Sequence, residues 1–258
     1  MKLYMAYMRV YFYSVMQHKM SLTLTIIGQF LTSFFAFLGL TFLFGRFNQV
    51  LDFTYGEVLL CFATVLMAYS LAEFFARGFD TFDNMLANGQ FDRIMVRPRN
   101  EIFQILSSTF ELSRVGRFAQ AVIIYLYAIP NSGVVWGLDK IAVQLLMIVC
   151  GTLFFATLFL LYAAICFFTT QGLEVFNILT DGSREFGRYP LSIYGKRILT
   201  FFTYIIPLAC IQYFPLLYLT DKSTSVHHAL SPLYATLLIV PVFWLWRLGI
   251  RHYKSTGS

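Results

Sequence analysis

Long apolar runs alternate along the chain with short polar breaks. The runs near 22–45, 57–77, 106–130, 141–168, 197–219 and 232–247 read as six membrane spans, a helical crossing needing roughly 20 residues. Residues 2–19 keep a different rhythm. Tyr4, Tyr7, Met8, Tyr11, Phe12 and Val15 recur at steps of three and four, Lys2 and Arg9 fall off that stripe, and Lys19 closes it. The pattern predicts an amphipathic helix. Tyrosine favours the headgroup level, so this helix is expected to lie flat on the membrane. Pro207 and Pro215 interrupt the fifth run. Proline removes a backbone donor and kinks or breaks a helix. Broken helices are tolerated in a bilayer where protein covers them, so 205–231 is expected to hold a region re-entering the outer leaflet. The expected fold is all-α and polytopic, a single transmembrane domain over 1–258.

Composition agrees with that pattern. The chain is 58% hydrophobic and 12% charged, about half the charge usual in a soluble domain. The net charge of +6 sits at the ends of apolar runs rather than on a soluble face, so no nucleic-acid partner is expected. With the breaks assigned to alternating sides, 14 Lys and Arg fall on one side and three (Arg46, Lys140, Lys222) on the other. The first group includes Arg184, Arg188, Lys196 and Arg197, from a polar loop expected over 170–196. The positive-inside rule makes the richer side cytoplasmic. Both termini then lie inside, a parity that six spans satisfy. Five or seven spans would put the basic tail on the wrong side. The first apolar run starts late and is too long for the core of a cleavable signal, so no signal peptide is expected. Cys61, Cys150, Cys166 and Cys210 lie inside apolar runs without metal-ligand spacing and read as small core residues.

Candidate chemistry is sparse. There is no phosphate-binding GxxxxGK[ST] loop, no HExxH and no GxSxG. His227 and His228 are neighbours on a short outer loop, a poor chelating arrangement. No catalytic cluster or metal site is expected. The ionisable residues within the runs stand out more. Glu73 and Arg77 lie four apart in the second span, and Glu111, Arg114 and Arg117 lie three apart in the third. Intramembrane charges face a protein interior or a cavity. Two readings stand: pairing (Glu111 with Arg114, or Glu73 with a neighbouring arginine), or a part in a transport path. Arginines near a span end can also reach the headgroups.

The break over 78–103 contains "NGQFDRIMVRPRN", residues 88–100. Asn88-Gly89 signals a turn and Pro98 stops a helix early. Between them Phe91, Ile94 and Met95 share helical spacing, with Asp92 and Arg93 off the stripe. A short amphipathic helix of this kind can seat in a groove, or the basic residues can serve only as a cytoplasmic anchor.

These pieces resemble the permease subunits of ABC exporters of the type-two class, and more narrowly a bacterial branch of short six-span permeases with a separate ATPase. The matching stretches are "NGQFDRIMVRPRN", "FELSRVGRF" at 110–118, "GSREFGRYPLSIYGK" at 182–196 and "IIPLACIQYFP" at 205–215. Met95 stands where the pattern GxFDxxLxRP has leucine. The resemblance implies an interfacial N-terminal helix, and a coupling helix over Phe91, Asp92, Arg93, Ile94, Met95, Arg97 and Pro98 that docks on a cytoplasmic ABC ATPase dimer. It implies a second permease subunit, identical or, by preference, a different related chain, in a bacterial inner membrane. ATP and Mg are expected on the ATPase, with no cofactor on this chain. The cargo expected is amphipathic or hydrophobic. A self-sufficient secondary carrier using Glu73, Glu111 and the arginines, or a non-transporting scaffold, are the other readings. The absence of an evident internal repeat counts against the carrier.

Overall fold

The computed structural model describes residues 2–47, 49–169 and 174–253. Lys254 of the basic tail, the Lys2 side chain and residues 170–173 of the expected polar loop lie outside the described residues. The chain opens with α1 Lys2–Met16 and α2 Lys19–Arg46, separated by a turn at Gln17 and His18. A small hairpin, β1 Gln49–Val50 against β2 Phe53–Thr54, leads into α3 Tyr55–Asp80. Thr54 and Glu57 form a reciprocal capping box, which satisfies two orphan donors and fixes where α3 begins. The short helices α4 Phe82–Ala87, α5 Gln90–Met95 and α6 Glu101–Leu106 follow. Then come α7 Arg114–Asn131, α8 Leu138–Thr169 and α9 Glu174–Phe186. A 3-10 turn at Leu191–Tyr194 precedes α10 Lys196–Tyr204, α11 Leu208–Leu219, α12 Val226–Thr236 and α13 Ile239–His252.

α3 is the axis of the bundle. It is buried along most of its length between α7 and α8, while α13 packs on α8 and α2 packs on α7. Lipid tails are as apolar as leucine, so these contacts depend on close packing and polar links rather than on escape from water. Gly56 shows the first device: a Cβ there would overlap the Asn131 backbone at the end of α7. Gly116 does the same for α7 against the carbonyl of Ile26 in α2.

Among the described residues, four helical stretches are long and apolar enough to cross a membrane: Lys19–Arg46, Tyr55–Ala87, Leu138–Thr169 and Val226–His252. α10 and α11 qualify together as a fifth, but they meet at 111°. Pro207 stands at that bend as the cap of α11, whereas Pro215 lies within α11 without ending it. The last stretch begins at Val226, ahead of the expected 232, because Pro232 is accommodated inside α12.

The expected third span is shorter than its apolar run. Ser107 Oγ donates to the Phe103 carbonyl at 2.7 Å and Ser108 Oγ to Ile105 at 2.7 Å. Such back-bonding competes with helix continuation, and regular helix resumes only at Arg114. Glu111 is therefore not on the α7 helix. α7 carries Arg114, Arg117 and Gln120 in its first two turns and is less apolar than the four spans, although it lies along α3.

Over its described residues, 174–196, the polar loop expected over 170–196 is not a loop at one end of the bundle. α9 runs beside α3. Tyr69 donates its hydroxyl to Asp181 at 2.8 Å, the Cys61 thiol bonds the Gly187 carbonyl, and the Gln212 amide bonds Tyr189. Ser192 reaches a pocket shared with Phe53 and Lys222. From the end where Phe167 lies near Phe91, the chain thus climbs toward the end where Glu57 caps α3. Asp181, Arg184, Glu185 and Arg188 have partners within the protein, which is why a polar stretch need not be a solvated loop. Without Arg184, Arg188, Lys196 and Arg197, ten Lys and Arg remain in the sequence segments assigned to the Phe91 end, still well above the other side.

The close approach of α3 and α7 is testable. Gly56→Ala is expected to destabilise the chain in detergent by about 1–3 kcal/mol, the usual cost of overpacking. Gly28→Ala, where a Cβ meets nothing within 4 Å, should leave the melting temperature unchanged or slightly raised.

Candidate functional site

Between Tyr69 and Asn84 the bundle holds a polar cavity of about 430 Å³. α3 contributes Tyr69, Glu73, Arg77 and Asp80, and the start of α4 adds Asp83 and Asn84. Arg114 and Arg117 face it from α7, Tyr162 from α8, and Asp181 and Arg184 from α9. Glu73 is buried and takes both arginines of α7: Arg117 donates to one carboxylate oxygen, and Arg114 Nη2 lies 3.1 Å from the other. The second Nη of Arg117 donates to Gln29 Oε1 of α2 at 2.5 Å. One guanidinium therefore ties three helices. Arg77 pairs with Asp80 in its own helix and lies 3.7 Å from Glu111. Arg184 bonds Asp181 at 3.2 Å and Glu185 at 2.9 Å. Its guanidinium lies 4.9 Å from the Tyr69 ring centre, with Arg117 at 5.8 Å from the same ring.

Of the two pairings expected from sequence, Glu73 with a neighbouring arginine is present. Arg114 also turns to Glu73, not to Glu111, because Glu111 precedes the helix. Ser113 Oγ and Arg77 are the partners of Glu111 instead. Tyr69, Asp80, Asp83 and Asp181 lie in none of the matching stretches, and Arg184 lies in one without standing out as a site residue. The signal for the α9 part of the wall is spacing: Asp181, Arg184, Glu185 and Arg188 form one helical polar face.

The second region is the stretch around α5. Gly89 sits in the left-handed region with φ 61° and starts the helix. Phe91 is fully buried, its ring 5.3 Å from Phe82, 5.2 Å from Phe167 and 5.1 Å from Tyr253. Tyr253 also donates its hydroxyl to Asp92 at 3.0 Å. Ile94 is buried too. The shared apolar stripe expected to enter a partner's groove is thus mostly spent on the chain's own core. A helix this short cannot hold its angle without such an anchor. Arg93, Met95, Val96, Arg97 and Pro98 remain exposed. The Gln104 amide bonds the Ile94 and Arg99 carbonyls, each at 3.1 Å, and pins the turn behind them. Nearby, Tyr4 and Tyr11 of α1 set their rings against Phe110 at 5.3 and 5.9 Å. Partial burial raises both phenol pKa values, with Glu111 adding to the effect at Tyr11. Tyr7 and Phe12, also on the expected stripe, stay exposed.

The profile of ABC-2 family transporter proteins matches residues 30–257, nearly the whole chain. The chain belongs to the ABC-2 transporter family. No curated protein and no solved structure matches it. This ABC-2 permease is an integral membrane transport subunit, and permeases of its family generally work with an ATPase partner. Within it, Glu73, Arg77, Arg114 and Arg117 are brought together at the cavity, with Glu111 at its edge through Arg77. The residues around α5 form a separate surface.

Removing one partner of a buried ion pair strands the other, at about 3–5 kcal/mol. Glu73→Gln in the ABC-2 permease should therefore lower stability by that order in a detergent unfolding series. Adding Arg117→Met removes one stranded cation and should recover part of the loss. Equal losses in the single and double variants would show that the carboxylate does not hold the arginines.

Proposed function

We propose that this chain is the membrane-spanning permease of an ATP-driven exporter in a bacterial inner membrane, coupled to its ATPase through α5. The observation that carries the reading is the anchoring of α5. The helix shows an edge of Arg93, Met95, Val96 and Arg97 outward while Phe91 locks it to Phe167 of α8 and, at 6.5 Å, Trp246 of α13. A displacement of α5 by a docked subunit is passed directly to two spans. The basic and apolar mixture on that edge suits a groove with acidic and apolar walls. Asp92 and Pro98 keep the helix short and fixed, and ATP and Mg stay on the partner. The export direction rests on the resemblance of the four sequence stretches.

In this reading the crossings are α2, α3, α7, α8, α9 with its following turn, and α12 with α13. Both termini are cytoplasmic, α1 lies at the inner interface, and α10 with α11 forms the outer re-entrant region. A second permease, identical or a different related chain, completes the channel. The cargo is an amphipathic molecule.

Arg97→Glu combined with Met95→Ala is expected to reduce ATPase co-purification and transport several-fold while the melting temperature holds. Phe91→Ala should reduce both coupling and stability, since it opens a core cavity worth about 3–5 kcal/mol. Full ATPase recovery with the double variant would remove α5 from the contact. For topology, Arg97→Cys should react with an impermeant maleimide only in inside-out vesicles, and Leu138→Cys only in intact cells. The same labelling side for both would overturn the crossing order. Proton-driven transport by this chain alone in vesicles would replace the reading with a secondary carrier.

A further inference from the structure

We propose that the charged cavity takes the zwitterionic headgroup of a phospholipid-like amphiphile, with the apolar part in the adjoining slot between α3 and α7. The first argument is the distribution of unmatched charge. On the α7 wall two guanidiniums, Arg114 and Arg117, share the single carboxylate of Glu73. The Nε of Arg114 is buried with no hydrogen-bond partner. On the α4 wall Asp83 faces the same cavity, and no ion pair forms to it among the described residues; the Asn84 amide bonds it at 3.2 Å. Asp80, close by at the end of α3, is taken by Arg77. The cavity thus offers one surplus cation and one free anion on different walls. A phosphate answers the first through charge-assisted hydrogen bonds, and an ammonium answers the second. A purely anionic ligand would meet Asp83 unpaired, and a purely cationic one would meet the arginine pair. Such uncompensated charges select against both.

The second argument is the neighbouring space. A slot of about 160 Å³ is walled by Leu71, Phe74, Phe75, Val115 and Phe118, and Arg114 belongs to its wall as well as to that of the polar cavity. One side of this arginine faces charge and the other faces hydrocarbon. A ligand filling both spaces must itself be polar at one end and apolar at the other. The polar cavity, at about 430 Å³, has room for a headgroup and its waters. Naming this molecule as cargo rests on the transport reading above; its binding does not, and is measured without ATP.

The test is a titration of the full-length chain, purified in detergent and stripped of phospholipid, followed by native mass spectrometry. The probes are dihexanoyl phosphatidylethanolamine, dihexanoyl phosphatidylglycerol, hexyltrimethylammonium and soluble phosphoethanolamine. The ethanolamine lipid is expected to bind about ten-fold or more tighter than the other three, the scale of one lost charge-assisted contact. Asp83→Asn should erase the preference over phosphatidylglycerol, and Arg114→Gln should weaken both lipids by about ten-fold. Should Arg114→Gln fail to fold, Asp83→Asn at the partly exposed wall decides alone. Equal binding of the three amphiphiles, or an unchanged preference in Asp83→Asn, overturns the proposal. Soluble phosphoethanolamine binding as tightly as the lipid overturns the amphiphile assignment. Binding as expected in a complex that does not transport would overturn only the transport reading.

Discussion

One buried carboxylate holds the centre of this protein together. Glu73 takes Arg114 and Arg117 from α7, and Arg117 goes on to Gln29 of α2. In water an exposed pair of this kind contributes about 0–1 kcal/mol. Within a bilayer the alternative is an unpaired charge in hydrocarbon, which is far more costly. The constraint is therefore geometric as well as energetic. It sets the rotation of α7 against α3, and it allows a short, polar-started helix to stay inside the bundle. At the opposite end Lys222 bonds Glu57 at 2.6 Å and Lys140 bonds Asp221 at 2.7 Å, closing α3 and α8 onto the segment after α11. α3 is held by ion pairs near both ends, with packed apolar surface between.

The aromatic cluster at the Phe91 end has a different character. Phe82, Phe91, Phe167, Trp246 and Tyr253 meet mostly edge to face, and they come from α4, α5, α8, α13 and the residue after it. Close-packed interiors transmit displacement because they have little free volume to absorb it. Trp246 also meets Phe79 of α3 at 6.0 Å, α3 carries Glu73, and Tyr162 of α8 lines the cavity, so a tilt of α3 or α8 also changes the shape of the charged cavity. This links the exposed edge of α5 to the polar interior through named contacts rather than through distance alone.

Much of the fold is legible in the chain. The apolar runs show α2, α3, α8 and the last stretch, the tyrosine stripe shows α1, and Pro207 marks the bend. Asn88-Gly89 and Pro98 bracket α5 correctly. What hides is whatever depends on partners far along the sequence. Phe91 and Ile94 look like a docking stripe until Trp246 and Tyr253 arrive beside them. Asp181 and Arg184 look solvated until Tyr69 supplies a ring and a hydroxyl. Glu111 and Arg114 look like a helical pair because the run of apolar residues conceals the serine bonds that end the preceding helix.

The Gln29–Arg117 bond spans 88 residues of sequence. At about 5–20 residues per second, α2 waits roughly 4 to 18 seconds during synthesis for this arginine. Its surface suits the delay: over its most apolar stretch only 11% of positions are buried even in the finished bundle. α2 can therefore stand alone in lipid while the rest of the chain is made. Glu73 waits a shorter interval, since Arg117 follows it by 44 residues. Both waits end at the same residue: Arg117 brings its two Nη groups to Glu73 and Gln29 together, so α3 and α2 gain their tie to α7 in one event.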